Sequence, residues 1–157
     1  MRIVCIADTH ELHRELVVPP GDLLIHAGDI TFFSRRPRMY RHFDLWLGEL
    51  PHRHKIIIPG NHDFLLEDPL ERNAITNATL LVDSGVEIEG LKIWGSPVTP
   101  LCGGAFWMPT AADRRRHWAR IPEGLDILVS HGPPLAFLTL RLALTATRGA
   151  RNSWRRS

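Results

Sequence analysis

The sequence has 157 residues, 44% hydrophobic and 23% charged, the balance of a single globular domain with a real core. No apolar run approaches the roughly 18 residues of a membrane span, and the apolar stretch at residues 3–7 is too short for a signal-peptide core, so a cytoplasmic protein is expected. The net charge of +2 misleads: Arg141, Arg148, Arg151, Arg155 and Arg156 all follow the last carboxylate, Asp126, so the basic excess belongs to the tail and speaks against a nucleic-acid footprint across the fold.

Residues 2–7 are mostly apolar with little alternation and read as a central strand buried on both faces. Cys5 lies in that strand and Cys102 in a glycine-rich loop, so both read as reduced thiols. Asp8-Thr9-His10 follows. On an extended chain Asp8 and His10 point to one side, and a carboxylate beside an imidazole is half of a metal site. An Asp helix cap with a chance histidine is the equally open alternative. Pro19-Pro20-Gly21 turns the chain into a second strand over 22–27, ended by Gly28-Asp29. Gly28 can take backbone angles that swing Asp29 toward a shared site. His26 reads as a packed, supporting residue. Residues 31–38 form a polar, basic connection. Met39, Phe43, Trp46, Leu47 and Leu50 then recur at helical spacing, and Pro51 closes the helix. Lying between two strands, it predicts a right-handed crossover unit. His52 and His54 read as surface residues of a basic turn.

Ile56-Ile57-Ile58 makes a third buried strand, stopped by Pro59-Gly60. Asn61, His62 and Asp63 come directly after. Asn and Asp also favour turns for local reasons, but polar ligand types recur at the ends of three other apolar strands. Residues 64–73 are acidic and predicted helical. A short strand is expected at 80–82 and a hairpin over 86–94 about Gly90. The Pro/Gly loop over 95–109, with Phe106 and Trp107, is read as a wall of the substrate pocket. Thr110 caps an Arg-rich helix over 110–120 with Trp118 turned inward. Residues 127–130 form a last strand, ending in His131.

Asp8, His10, Asp29, Asn61 and His131 are thus five oxygen and nitrogen donors on four strand ends, the edge where α/β sheets build their sites. The set suits two divalent ions, Mn²⁺ first, then Fe or Zn²⁺, with Asp29 as the bridge. Hydroxide held between ions roughly 3.5–4 Å apart can attack phosphorus in line. His62 is the candidate general acid or binder of the departing oxygen, and Asp63 is expected to fix its tautomer.

Asp8-x-His10, Gly28-Asp29, Gly60-Asn61-His62-Asp63 and Ser130-His131-Gly132, in this order, resemble the calcineurin-like metallophosphoesterase superfamily. Gly95-Ser96-Pro97 and His131-Gly132-Pro133-Pro134 look like its metallophosphoesterase-domain (MPPED-type) branch. The resemblance covers residue 1 to about 136, taken as the core (1–136), with 137–157 an atypical basic tail. It implies a four-layer α/β/β/α sandwich and hydrolysis of phosphomonoesters or phosphodiesters, cyclic nucleotides included. The partner it implies is a small phosphoester or nucleotide, with no membrane.

One motif of the family, Gly-His-x-His, has no counterpart after His131, the last histidine. The resemblance therefore implies ions one imidazole short each, and a second sheet lacking a strand at its C-terminal end. That open edge could pair with a second copy. The expected function is therefore a phosphoesterase impaired by loss of that motif, and the alternative is a non-catalytic metal- or nucleotide-binding remnant of the fold, completed by self-association. A GC-rich stretch encoding residues 147–156, shifted by one base, can read His-Ala-Gly-Cys-Pro-Glu-Leu-Leu-Glu-Ala, which is like the family's continuation. A frameshift is the expected origin of the tail, and the coding DNA tests it.

Overall fold

The computed structural model describes residues 1–100 and 103–132. Cys102 and the tail with its frameshift reading lie outside the described residues. Four parallel strands, β1 (Ile3–Ile6), β2 (Leu23–His26), β3 (His54–Ile57) and β4 (Thr79–Leu80), form one sheet in sequence order. A second sheet pairs β5 (Ser84–Ile88) with β6 (Leu91–Ser96) antiparallel, and β6 with β7 (Ile127–Ser130) parallel.

Alternation along β2 and β3 divides the core in two. Leu24 and Ile57 face α1 (Pro37–Glu49), where Tyr40, Phe43, Trp46 and Leu47 are buried. Leu23, Ile25, Ile56 and Ile58 face the other way, onto Ile88, Ile93 and Val129 of the second sheet. Each such fully buried side chain contributes about 1.5–3 kcal/mol. The neighbour of Ile93, Trp94, points to the outer face, beside His117 of α2 (Ala111–Trp118). The layers are therefore α1, first sheet, second sheet, α2, the sandwich expected from the sequence.

Several local expectations are corrected. Among the described residues β1 is an edge strand, not a central one. Val4 is buried, but Ile3 and Cys5 are exposed, because the second sheet lies over β2 and β3 and does not reach them among the described residues. α1 begins at Pro37, two residues before the first apolar position, since proline's fixed φ suits a first turn. The stretch read as one helix is two 3-10 turns, Phe64–Glu67 and Pro69–Ala74. Pro69 breaks it, having no N–H, and the Asp68 carboxylate caps Leu70 N at 2.9 Å. His52 is buried, with Nε2 3.0 Å from Pro19 O, and His54 opens β3 opposite Leu23. In α2 the buried residue is Arg114, bonded to the carbonyls of Met108 and Pro109, while Trp118 is half-buried.

Candidate metal centre

The C-terminal ends of β1, β2, β3 and β7 open onto one place. The loop after β1 follows the loop after β2 through Asp8 N to Gly28 O (2.9 Å), His10 N to Asp29 O (3.1 Å) and Glu11 N to Ile30 O (2.9 Å). To do so the chain leaves the extended conformation. Asp8, His10 and Asp29 have φ of 55°, 42° and 58°, a left-handed region that Asp and His tolerate better than most residues. The extended geometry expected for Asp8 and His10 is thus absent. The two side chains enter different clusters, one of His10, Asp29 and His62, the other of Asp8, Asp29 and His131.

Asp29 joins them. It is 3% exposed, and its two oxygens face different imidazoles. His131 Nε2 lies 3.3 Å from Oδ1, while His10 Nε2 and His62 Nε2 lie 3.7 and 3.8 Å from Oδ2. The backbone N–H of His62 also donates to Oδ1, at 2.9 Å. Two imidazoles are aimed by backbone carbonyls. His10 Nδ1 is 3.1 Å from Thr31 O, and His131 Nδ1 is 2.8 Å from Ala27 O. A carbonyl only accepts, so each Nδ1 carries the proton and each Nε2 offers a lone pair to the site. Metal-ligating histidines use this arrangement.

Asn61 adds a further donor. Its Oδ1 lies 2.8 Å from His131 Nε2, so the amide and the imidazole converge on one point at the edge of the Asp8, Asp29 and His131 cluster. Close backbone approach makes the convergence sterically feasible. A Cβ on Gly60 would sit 2.1 Å from Asp29 Oδ1, and one on Gly28 would sit 2.5 Å from His131 Nδ1.

The family model for calcineurin-like phosphoesterases matches residues 1–155. The chain belongs to that family. It is 37% identical over 163 residues to human metallophosphoesterase domain-containing protein 1, covering 87% of this chain and 50% of the human protein. A UPF0046 protein of Caenorhabditis elegans is 35% identical over 154 residues, covering 88% of this chain and 53% of its own length. These relatives support the metallophosphoesterase-domain branch, and the chain spans about half their length. Metallophosphoesterases bind divalent metals, and the donor set just described, oxygen and imidazole nitrogen about a shared carboxylate, fits such ions.

Within this metallophosphoesterase site, His62 and Asp63 depart from the sequence reading. Asp63 does not fix the tautomer of His62. Its fully buried carboxylate accepts from Gly60 N (2.8 Å), Thr31 N (3.0 Å) and Ile30 N (3.2 Å), stapling the loop after β2 to the loop after β3. His62 Nδ1 is buried with no hydrogen-bond partner. Burial lowers the pKa of His62, with Asp29 opposing, which favours the neutral ring. Its Nε2 stands among the candidate ligand atoms, a position the sequence did not suggest. The 95–109 loop packs on Asn61. Ala105 N donates to Asn61 O at 2.8 Å, and a Cβ on Gly104 would lie 2.6 Å from Asn61 Cβ. Thr31 O and Ala27 O, which aim the two imidazoles, carry no sequence signal because any residue has a carbonyl.

Behind the site two more histidines are held neutral. His26, fully buried, has Nδ1 facing Gly28 N at 3.3 Å and Nε2 facing Thr9 Oγ1 at 3.0 Å. Burial pushes its pKa down to about 3, and pushes that of His13 down to about 4. Both values are depressed from 6.5, so these rings stabilise the fold above pH 6.5 and that stability drains away as pH falls toward 4. Asp63 acts oppositely: burial raises it from 3.8 to about 6, so between those values the folded chain holds its proton. His13, His26 and His62, all lowered, make the unfolded chain the better proton binder, and the raised Asp63 opposes them. Unfolding free energy in urea, with chelator present, should fall as the pH drops from 6 to 4. In His13→Gln that slope should be shallower. A flat wild-type profile would contradict this account.

Proposed function

We propose that this chain is a metal-dependent phosphoesterase that hydrolyses small phosphomonoesters or phosphodiesters, cyclic nucleotides among them, in the cytoplasm. One observation carries the reading: the Asp29 carboxylate meets three imidazole Nε2 atoms at 3.3–3.8 Å. Asp8, His10, Asp29, Asn61 and His131 would hold two divalent ions, Mn²⁺ before Fe or Zn²⁺. Bound there, such ions activate water and polarise a phosphoryl oxygen. The protein's own part is to aim the donors through Thr31 O and Ala27 O, to staple the two loops through Asp63, and to keep His62 at the reacting centre. His62, neutral and shielded, can take or give a proton at Nε2 toward the departing oxygen.

The test is His62→Ala assayed on bis(p-nitrophenyl) phosphate, beside metal analysis of protein purified without chelators. Two ions retained with turnover reduced by about 100-fold or more supports proton transfer by His62. Loss of one ion with turnover reassigns His62 as a ligand. Unchanged turnover removes His62 from the chemistry.

A second reading is metal binding without hydrolysis. It is favoured by the sequence at 132–157, which contains no histidine to complete either ion's ligands. Two bound ions with no wild-type turnover would select it. Turnover rising steeply with protein concentration would instead support completion of the site by a second copy, paired through an open sheet edge.

A further inference from the structure

The connection after Asp29 was expected to be polar. It carries Phe32 and Phe33 side by side, 63% and 49% exposed, at the mouth of the site. Phe33 has φ of 61°, a backbone region that bulky side chains rarely occupy. Phe33 is thus a strained residue that keeps half its surface exposed, and such strain clusters at ligand sites. The rings are placed against the candidate metal ligands. Phe33 lies 3.7 Å from His62, centroid to centroid, at 31°. Phe32 meets His10 edge-on at 5.5 Å, and Phe33 itself at 5.3 Å. Outward, Phe33 faces Phe64 at 6.0 Å, and the Arg35 guanidinium sits 4.5 Å over the Phe64 ring. A ridge of aromatic faces thus runs from the imidazoles to a cation.

We propose that Phe32 and Phe33 form a stacking platform that selects phosphoesters bearing a planar aromatic group close to phosphorus. This rests on the phosphoesterase reading above. A phosphoryl group held by the Asp29 cluster would place its nearest substituent beside these rings. Stacking tolerates any flat π-face, aryl or nucleobase, and so gives a class preference. Arg35 adds positive charge at the outer end, complementary to an anionic ester.

The experiment uses the metal-loaded full chain and two non-hydrolysable probes, phenylphosphonate and methylphosphonate, with binding measured by calorimetry. Wild type should bind the phenyl compound about tenfold more tightly, a difference of about 1.4 kcal/mol. Phe33→Gly should abolish that preference and leave methylphosphonate affinity within about twofold. Glycine takes positive φ without strain, so the variant should fold. An independent readout needs no variant: phenylphosphonate, but not methylphosphonate, should shift the Phe32 and Phe33 ring-proton resonances of the Zn²⁺-loaded protein. Equal affinity for the two probes, a preference that survives Phe33→Gly, or unmoved ring resonances overturns the platform alone. Failure of both probes to bind overturns the phosphoesterase reading, and the platform with it.

Discussion

Asp29→Asn is expected to release metal from both clusters at once. The carboxylate's two oxygens serve different imidazoles, Oδ1 toward His131 and Oδ2 toward His10 and His62. Asparagine keeps the shape, but it removes the shared charge and turns one oxygen into an N–H₂ group. That group has no lone pair to offer, whichever way the amide is turned. Mn²⁺ affinity should fall by two orders of magnitude or more, beyond the 10–100-fold typical for loss of a supporting hydrogen bond. Stoichiometry by calorimetry should drop from two to one or none. The variant should remain folded by circular dichroism, since the amide can still accept the His62 backbone N–H. His131→Ala is the contrast: it belongs to one cluster, so one ion should remain. Two ions bound by Asp29→Asn with wild-type affinity would break the idea of a shared carboxylate.

The placement of Asp29 at a strand end, beside other ligand-type side chains, was legible in the sequence, and the reason is chemical. Apolar runs such as Leu23–His26 and His54–Ile57 became strands, and each ended in Gly followed by a ligand type. The conformations around those ligands were not legible. Asp8 and His10 looked like alternate residues of a strand, and alternation says nothing once φ turns positive. Asp63 stood beside His62 in sequence, but its hydrogen bonds go to residues 30, 31 and 60. Which way a buried carboxylate points depends on where orphan N–H groups collect in space. The β1 error has a similar source. An apolar strand shows that some face is buried, yet coverage depends on how far the second sheet extends. Phe32 and Phe33 did leave a trace, two adjacent aromatics in a basic connection, whose meaning emerged only from their distance to His62.

Gly60→Ala is expected to damage stability and metal binding together through a single added methyl group. Its φ is not in the left-handed region, so the requirement for glycine is purely steric. The added Cβ would lie 2.1 Å from Asp29 Oδ1 and 2.3 Å from Asp29 N. The amide nitrogen cannot rotate away as a side chain can, and the loop carrying it is bonded to residues 8–11 and stapled by Asp63. Relief must therefore move backbone in at least one of these loops, at about 3 kcal/mol, the upper end of ordinary overpacking. For a chain of this size that is a fall in Tm of about 6–12 °C. Because the displaced atoms are those of Asp29, metal affinity should fall with stability. Gly90→Ala separates the two reasons a glycine can be needed. Gly90 has φ of 83° and nothing within 4 Å of an added Cβ, so its cost is strain alone, about 1–2 kcal/mol, and it should bind metal as wild type does. A Gly60→Ala protein with wild-type Tm and metal stoichiometry would mean that the loops after β2 and β3 do not meet as closely as the structure places them.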